Sequence, residues 1–275
     1  MNFIKFLRYD FKHGILRKYW LYLIYSSLVF LAVIQFQGMM KSFEISQYSV
    51  GDVFLYIFGG KKEYIPRIGE SFELPYLWLV NHIVLLYFGL NYMYKDLQGF
   101  GQQMIYRSGG RLTWWFAKCF WNTLFVLLFY VCGYLTIVIL SFLNGADVSL
   151  SISGFMSDIM DLGAEGITSG IRDLSLEIVL LPLLFSVSMS VFQMTVSLLS
   201  KPVVSFIITS GICIASSYKL SVFLFGNYSM ALRCNQVVAN GFESSSAILC
   251  LTALWAISIG VGACRIRKCD ILSKE

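Results

Sequence analysis

Apolar residues gather into six long runs, near Tyr19–Gln37, Tyr76–Tyr94, Cys119–Leu143, Ile178–Leu199, Val203–Lys219 and Ser246–Cys264. A helix needs roughly 17–25 such residues to cross a bilayer, so each run predicts a span. Ahead of the first, Phe3, Ile4, Leu7, Phe11 and Ile15 recur at helical spacing, while Lys5, Arg8 and Lys12 take the opposite face and Leu16 breaks the pattern. That alternation predicts an amphipathic helix within 1–18, lying flat in the inner interface. The expected fold is an all-α integral membrane protein: one transmembrane domain over 1–275, with six spans, an N-terminal in-plane helix and a short cytoplasmic helix after the second span.

Composition and charge sharpen this picture. Hydrophobic residues make up 57% of the chain and charged residues only 13%, against about 25% charged in a soluble domain. The longest stretch outside the runs, Gly38–Pro75, falls short of the roughly 50 residues a separate domain needs. With the N-terminus inside and the spans alternating, the inner segments hold 14 of the 21 basic residues and the outer segments 12 of the 16 acidic ones. The positive-inside rule selects this orientation, with both termini cytoplasmic. Topology accounts for the net charge of +5, and no nucleic-acid partner is implied. The first run is too long for a cleaved secretory segment, and Gln37-Gly38-Met39-Met40 offers no small-residue cleavage site. The seven cysteines are scattered without a CxxC pair and read as packing residues rather than a disulfide framework.

The connections carry their own signals. Val53–Phe58 is apolar but too short to span; it dips into the membrane or caps the outer surface. Met156, Ile159, Met160 and Gly163 suggest one short surface helix in the acidic second outer loop. Ser200-Lys201-Pro202 ends the fourth span and starts the fifth, because proline suits a first helical turn. The last outer stretch, Leu220–Ser245, is broken by Gly226-Asn227 and Gly241. It reads as two short helices entering and leaving the outer leaflet.

Candidate chemistry is sparse. Asn81, His82 and Gln193 are the candidates for a polar path through the spans, with Gln35 and Glu177 near the ends. Each also suits a role as an interhelical hydrogen bonder. There is no chain of Asp, Glu or Arg of the kind that relays protons or sodium. His13 and His82 are the only histidines, and neither HExxH nor GxSxG occurs. Gly59-Gly60-Lys61-Lys62 lacks the spacing and the hydroxyl residue of a phosphate loop. The expectation is a chain without catalytic residues, metal or cofactor of its own.

The inner loop KDLQGFGQQMIYRSGGRLTWWFAK, Lys95–Lys118, is the longest inner connection. Leu97, Phe100 and Met104 lie at helical spacing with Gln103 and Arg107 beside them, and Gly109-Gly110 ends the turn. Such a ridge would either dock in a partner's groove or lie flat on the membrane.

The in-plane lead-in, the six spans, the loop ending RSGGRLTWWFAK, the Ser200-Lys201-Pro202 turn and the broken GNYSMALR segment together resemble the permease subunits of ATP-binding-cassette exporters of the ABC-2 class. The resemblance implies that the inner loop is a coupling helix, with Leu97, Phe100, Gln103, Met104 and Arg107 meeting an ATPase. It implies that Phe225–Arg233, including Asn227, forms a re-entrant segment closing the outer mouth. It also implies two cytoplasmic ATPase subunits carrying ATP and Mg, a second permease subunit, and a multi-pass place in the bacterial plasma membrane. The cargo would be a peptide, an antimicrobial or a lipid-like molecule moved by alternating access. The competing expectation is a stand-alone membrane binding or immunity protein that sequesters a toxin or braces another complex.

Overall fold

The computed structural model describes residues 3–45, 47–66, 71–99, 101–103, 105, 110–162, 172–238 and 240–268. The lead-in forms α1 (Phe3–Asp10), a π turn (Phe11–Ile15) and a 3-10 turn (Leu16–Lys18) that run into α2 (Tyr19–Ser42). Then come α3 (Val50–Phe58), α4 (Tyr76–Gly89), α5 (Tyr92–Gln98), α6 (Arg111–Leu143) and α7 (Gly154–Ile159). A π turn (Leu176–Leu180) leads into α8 (Leu181–Leu199), followed by α9 (Pro202–Tyr218), 3-10 turns at Phe225–Ser229 and Ala231–Arg233, and α10 (Ser244–Lys268). The described residues are mostly helical; β1 (Ser151–Ile152) and β2 (Arg172–Asp173) form one antiparallel pair.

Four helical stretches are long and apolar enough to cross a membrane: Phe3–Ser42, Arg111–Leu143, Leu176–Leu199 and Ser244–Lys268. Helix α9 is apolar but shorter. Helix α4 has 14 residues, about 21 Å at 1.5 Å per residue. The second apolar run is therefore split, with α5 continuing it beyond Leu90–Asn91.

Side-chain contacts fix the relative directions. Tyr22 and Tyr25 of α2 meet Phe125 and Phe129 of α6 in rising order, so these helices are parallel. Along α6 and α8 the order falls: Asn122 meets Ser190, Tyr130 meets Ser186 and Tyr134 meets Val179. Those two are antiparallel. His82 to Ser186 and Leu86 to Gln193 make α4 parallel to α8. Ser188 Oγ donates to Leu251 O at 2.8 Å and Thr195 Oγ1 lies 2.9 Å from Ser258 O. Both donors and both acceptors are seven residues apart, two helical turns on each helix, so α8 and α10 are parallel in register. The bundle thus alternates, with α2 and α6 running one way and α4, α8 and α10 the other.

The exterior is apolar, unlike that of a soluble bundle, over a core that is largely hydrophobic with hydroxyl residues concentrated on α8. Leu23, Leu31, Phe120, Leu135, Ile139, Ile207, Leu249 and Ile257 are exposed, while Ser186, Ser188, Ser190, Gln193, Thr195 and Ser197 are buried on α8. An apolar exterior suits hydrocarbon surroundings, and small hydroxyl residues let helices approach closely and bond across. The lead-in is an amphipathic helix, but Phe6 and Asp10 are its buried edge, while Ile4 is 72% exposed.

At the end away from the lead-in, α3 caps the bundle and is almost wholly buried. Ser49 Oγ accepts the Asp52 amide at 3.1 Å and Asp52 accepts the Ser49 amide at 2.9 Å, a capping box that starts the helix. The other Asp52 oxygen accepts the Ser153 amide at 2.8 Å, tying α3 to the loop that follows α6. The expected short helix in that loop is α7; Gly163 lies outside the described residues. The six described cysteines are all unpaired.

Candidate functional site

A charged node sits where α1, α5 and α6 meet, at the basic end of the bundle. Lys118, 1% exposed, pairs with Asp10 and, at 2.8 Å, with Asp96. Tyr92 donates to Asp10 at 2.8 Å and Trp114 Nε1 donates to Asp96 at 3.0 Å. The ammonium also stands 4.9 Å from the Tyr92 ring centroid and 5.6 Å from that of Trp114. A buried cation is tolerated when it is paired and hydrogen-bonded, and here one lysine is shared by two carboxylates. A Cβ on Gly101 would stand 2.2 Å from Asp96 Oδ2, so glycine at that position admits the carboxylate. One side chain thereby fastens the lead-in helix and the inner loop to the same turn of α6.

The polar-path candidates are all buried. Asn81 donates to Leu77 O on its own helix at 2.8 Å. His82 Nδ1 lies 2.7 Å from Ser186 Oγ, which is 2.7 Å from the Tyr130 hydroxyl; Tyr130 donates to Pro182 O at 2.9 Å. The Trp78 and Phe185 rings stand edge-on to the imidazole. Gln193 Nε2 donates to Leu86 O at 3.1 Å, and Thr209 Oγ1 lies 3.2 Å from Gln193 Oε1. The structure brings His82 and Gln193 into separate knots joining α4 with α8. Gln35 donates to Tyr76 at 2.5 Å, and Glu177 accepts from Ser244.

In the inner loop, Leu97 is half-buried against the cluster of Phe6, Met93, Trp114 and Trp115, and Gln103 is exposed. Phe100, Met104 and Arg107 lie outside the described residues. Ile105, not singled out in the sequence, is buried.

At the opposite end, Arg233 is a clamp. Its Nε donates to Lys61 O at 2.8 Å and its Nη2 to Ser217 O at 2.7 Å, while Nη1 reaches Ser216 O and Asn227 Oδ1. Asn227 Nδ2 also donates to Lys219 O at 3.1 Å and Ser221 O at 2.9 Å. The last carbonyls of α9 have no partner within the helix, and a cation there complements the helix dipole. Burial lowers the Arg233 pKa to about 10, opposed by the charge of Glu63. Phe225 is half-buried, and Gly226 passes so close to α9 that a Cβ would meet Ser216 Cβ at 2.6 Å. The broken segment is thus a buried plug.

Beside that plug lies a cavity of about 1260 Å³, faced by Tyr56, Tyr64, Phe72, Tyr76, Trp78 and Leu232. At its rim Lys61 pairs with Glu73, and Lys62 with Asp161 at 2.7 Å. The hydrogen bond and charge of Lys61 hold the Glu73 carboxyl below the usual range.

The Lys118 node was missed in the sequence because Lys118 counts there simply as one more inner cation. The available signal was local: Asp10 and Asp96 are the only acids in the lead-in and in the inner loop. Two lone acids among many cations ask for a buried partner.

An apolar exterior, helices long enough to span and a hydroxyl-lined face of α8 at the helix contacts mark a mostly helical protein of membrane type. A family model described as "Protein of unknown function (DUF2705)" matches residues 53–272. The chain belongs to that family. The match begins in α3 and runs through α10. Neither the curated proteins nor the solved structures give a match.

Proposed function

We propose that this chain is the permease subunit of an ATP-driven exporter of the ABC-2 type, crossing the plasma membrane six times with both termini in the cytoplasm. The alternating helix directions support six crossings, with α4 and α5 together making the second and α9 the fifth. Two copies, or this chain and a similar one, would enclose the pathway, and two ATPase subunits would bind the loop after the second crossing. Cargo of peptide or amphipathic character suits the aromatic cavity at the outer end.

The observation that carries this reading is the Lys118 node. A push on the loop reaches Asp96 directly, and Lys118 passes it to α6 and, through Asp10, to α1. A motor works on such a lever only if ATP favours one arrangement by more than the cost of reorienting the bundle. The outer cavity taken alone favours the second reading, a stand-alone protein that sequesters a toxin.

Pull-down from native membranes with mass spectrometry separates the two. A nucleotide-binding subunit should co-purify, and recovery of this chain without one contradicts the exporter. Cysteine labelling tests the topology: Ser153→Cys should react in intact cells and Lys201→Cys only after permeabilisation.

A further inference from the structure

A second cavity, of about 370 Å³, opens between the lead-in and α6. Ile4, Leu7 and Phe11 wall one side; Phe120, Trp121 and Leu124 wall the other. Its volume lies in the range of ligand clefts, roughly 300–1,000 Å³. Asp10 borders it; its Oδ1 is taken by Lys118 and Tyr92, and its Oδ2 is buried without a hydrogen-bond partner. The remaining charged wall residue is Arg8.

Three features limit what can fill it. Apolar cavities stay dry and take up apolar molecules, so the occupant is hydrocarbon where it meets these walls. Ile4, Phe11 and Phe120 are exposed, so the cleft is continuous with the apolar exterior and is entered from the bilayer side. The lead-in carries Lys5, Arg8, Lys12, Arg17 and Lys18 against the single acid Asp10, so the head that accompanies the hydrocarbon is anionic. We infer that the cleft holds one acyl chain of an anionic glycerophospholipid of the inner leaflet, with Arg8 on its phosphate. The lipid would wedge the in-plane helix to the face of α6 beside the Lys118 node. This site does not depend on the exporter reading.

The test uses the full-length protein in phosphatidylcholine vesicles containing phosphatidylglycerol brominated along its acyl chains. The difference in emission between wild type and Trp121→Phe isolates Trp121. Brominated phosphatidylglycerol should quench Trp121 at lipid fractions where equally brominated phosphatidylcholine does not. Arg8→Gln should remove that preference, and Leu7→Phe, which fills the cleft, should remove the quenching. Equal quenching by both lipids, or by neither, overturns the inference. Native mass spectrometry of wild type and Arg8→Gln needs no tryptophan variant: wild type should retain one phosphatidylglycerol that Arg8→Gln loses, and equal retention contradicts the site.

Discussion

The side-chain amide of Gln193 donates to the backbone carbonyl of Leu86 at 3.1 Å, one of the carbonyls at the end of α4, where the helix breaks. The Leu90 amide, its usual helical partner four residues on, turns instead to Tyr87 O at 3.3 Å. A freed backbone acceptor inside a bundle must be satisfied by a neighbouring helix or by water. Replacing Gln193 by Leu should therefore destabilise the protein by roughly 1–2 kcal/mol. Thermal unfolding in detergent checks this; an unchanged midpoint would mean that the break is satisfied otherwise.

Lys118 is worth more than a single pair because two carboxylates share it. Lys118→Met should cost about 3–5 kcal/mol, the penalty for leaving buried charge uncompensated. Adding Asp10→Asn and Asp96→Asn should recover part of that loss. Unfolding of the single, double and triple variants gives the coupling, and purely additive losses would contradict a shared node.

At the other end, Arg233→Lys should fail to substitute. A lysine ammonium cannot match the planar fork that reaches Lys61 O, Ser217 O and Asn227 together. Each buried carbonyl left without a donor costs roughly 1–3 kcal/mol. Limited proteolysis should cut the variant within 220–243 faster than wild type. Equal rates would show that the plug holds without the clamp.

Acid should loosen the rim of the cavity beside Arg233. The Glu73 carboxyl is held below its ordinary value by Lys61. The pair's stabilisation is therefore present above the ordinary carboxylate pKa and is lost as pH falls through the depressed one. The mobility of a spin label attached beforehand to a cysteine introduced at Ser71 should rise across that acid range, and Glu73→Gln should remove the dependence. A flat profile in the wild type would contradict the coupling.

The long helices were legible because twenty apolar residues in a row leave little choice in a bilayer. The Ser200-Lys201-Pro202 turn was equally plain, since proline fixes the first turn of α9. The split of the second run was not legible, because Tyr76–Tyr94 has no proline and the break depends on Gln193 arriving from another helix. The apolar stripe of Phe3, Ile4, Leu7, Phe11 and Ile15 was legible from spacing alone, whereas the edge that meets the bundle, Phe6 and Asp10, was not. The lone acids Asp10 and Asp96 signalled a buried partner, but which cation they share emerges only where α1 and α5 meet α6. Asn227 and Arg233 were singled out from a broken segment, but their grip on the end of α9 emerges only in three dimensions.

The most direct measurement of the central claim is photocrosslinking from Gln103, the exposed described residue of the inner-loop ridge. With a photoreactive residue at this position in native membranes, the account predicts an adduct to a nucleotide-binding ATPase whose yield changes when ATP is added. Adducts to lipid alone, with or without ATP, would contradict it.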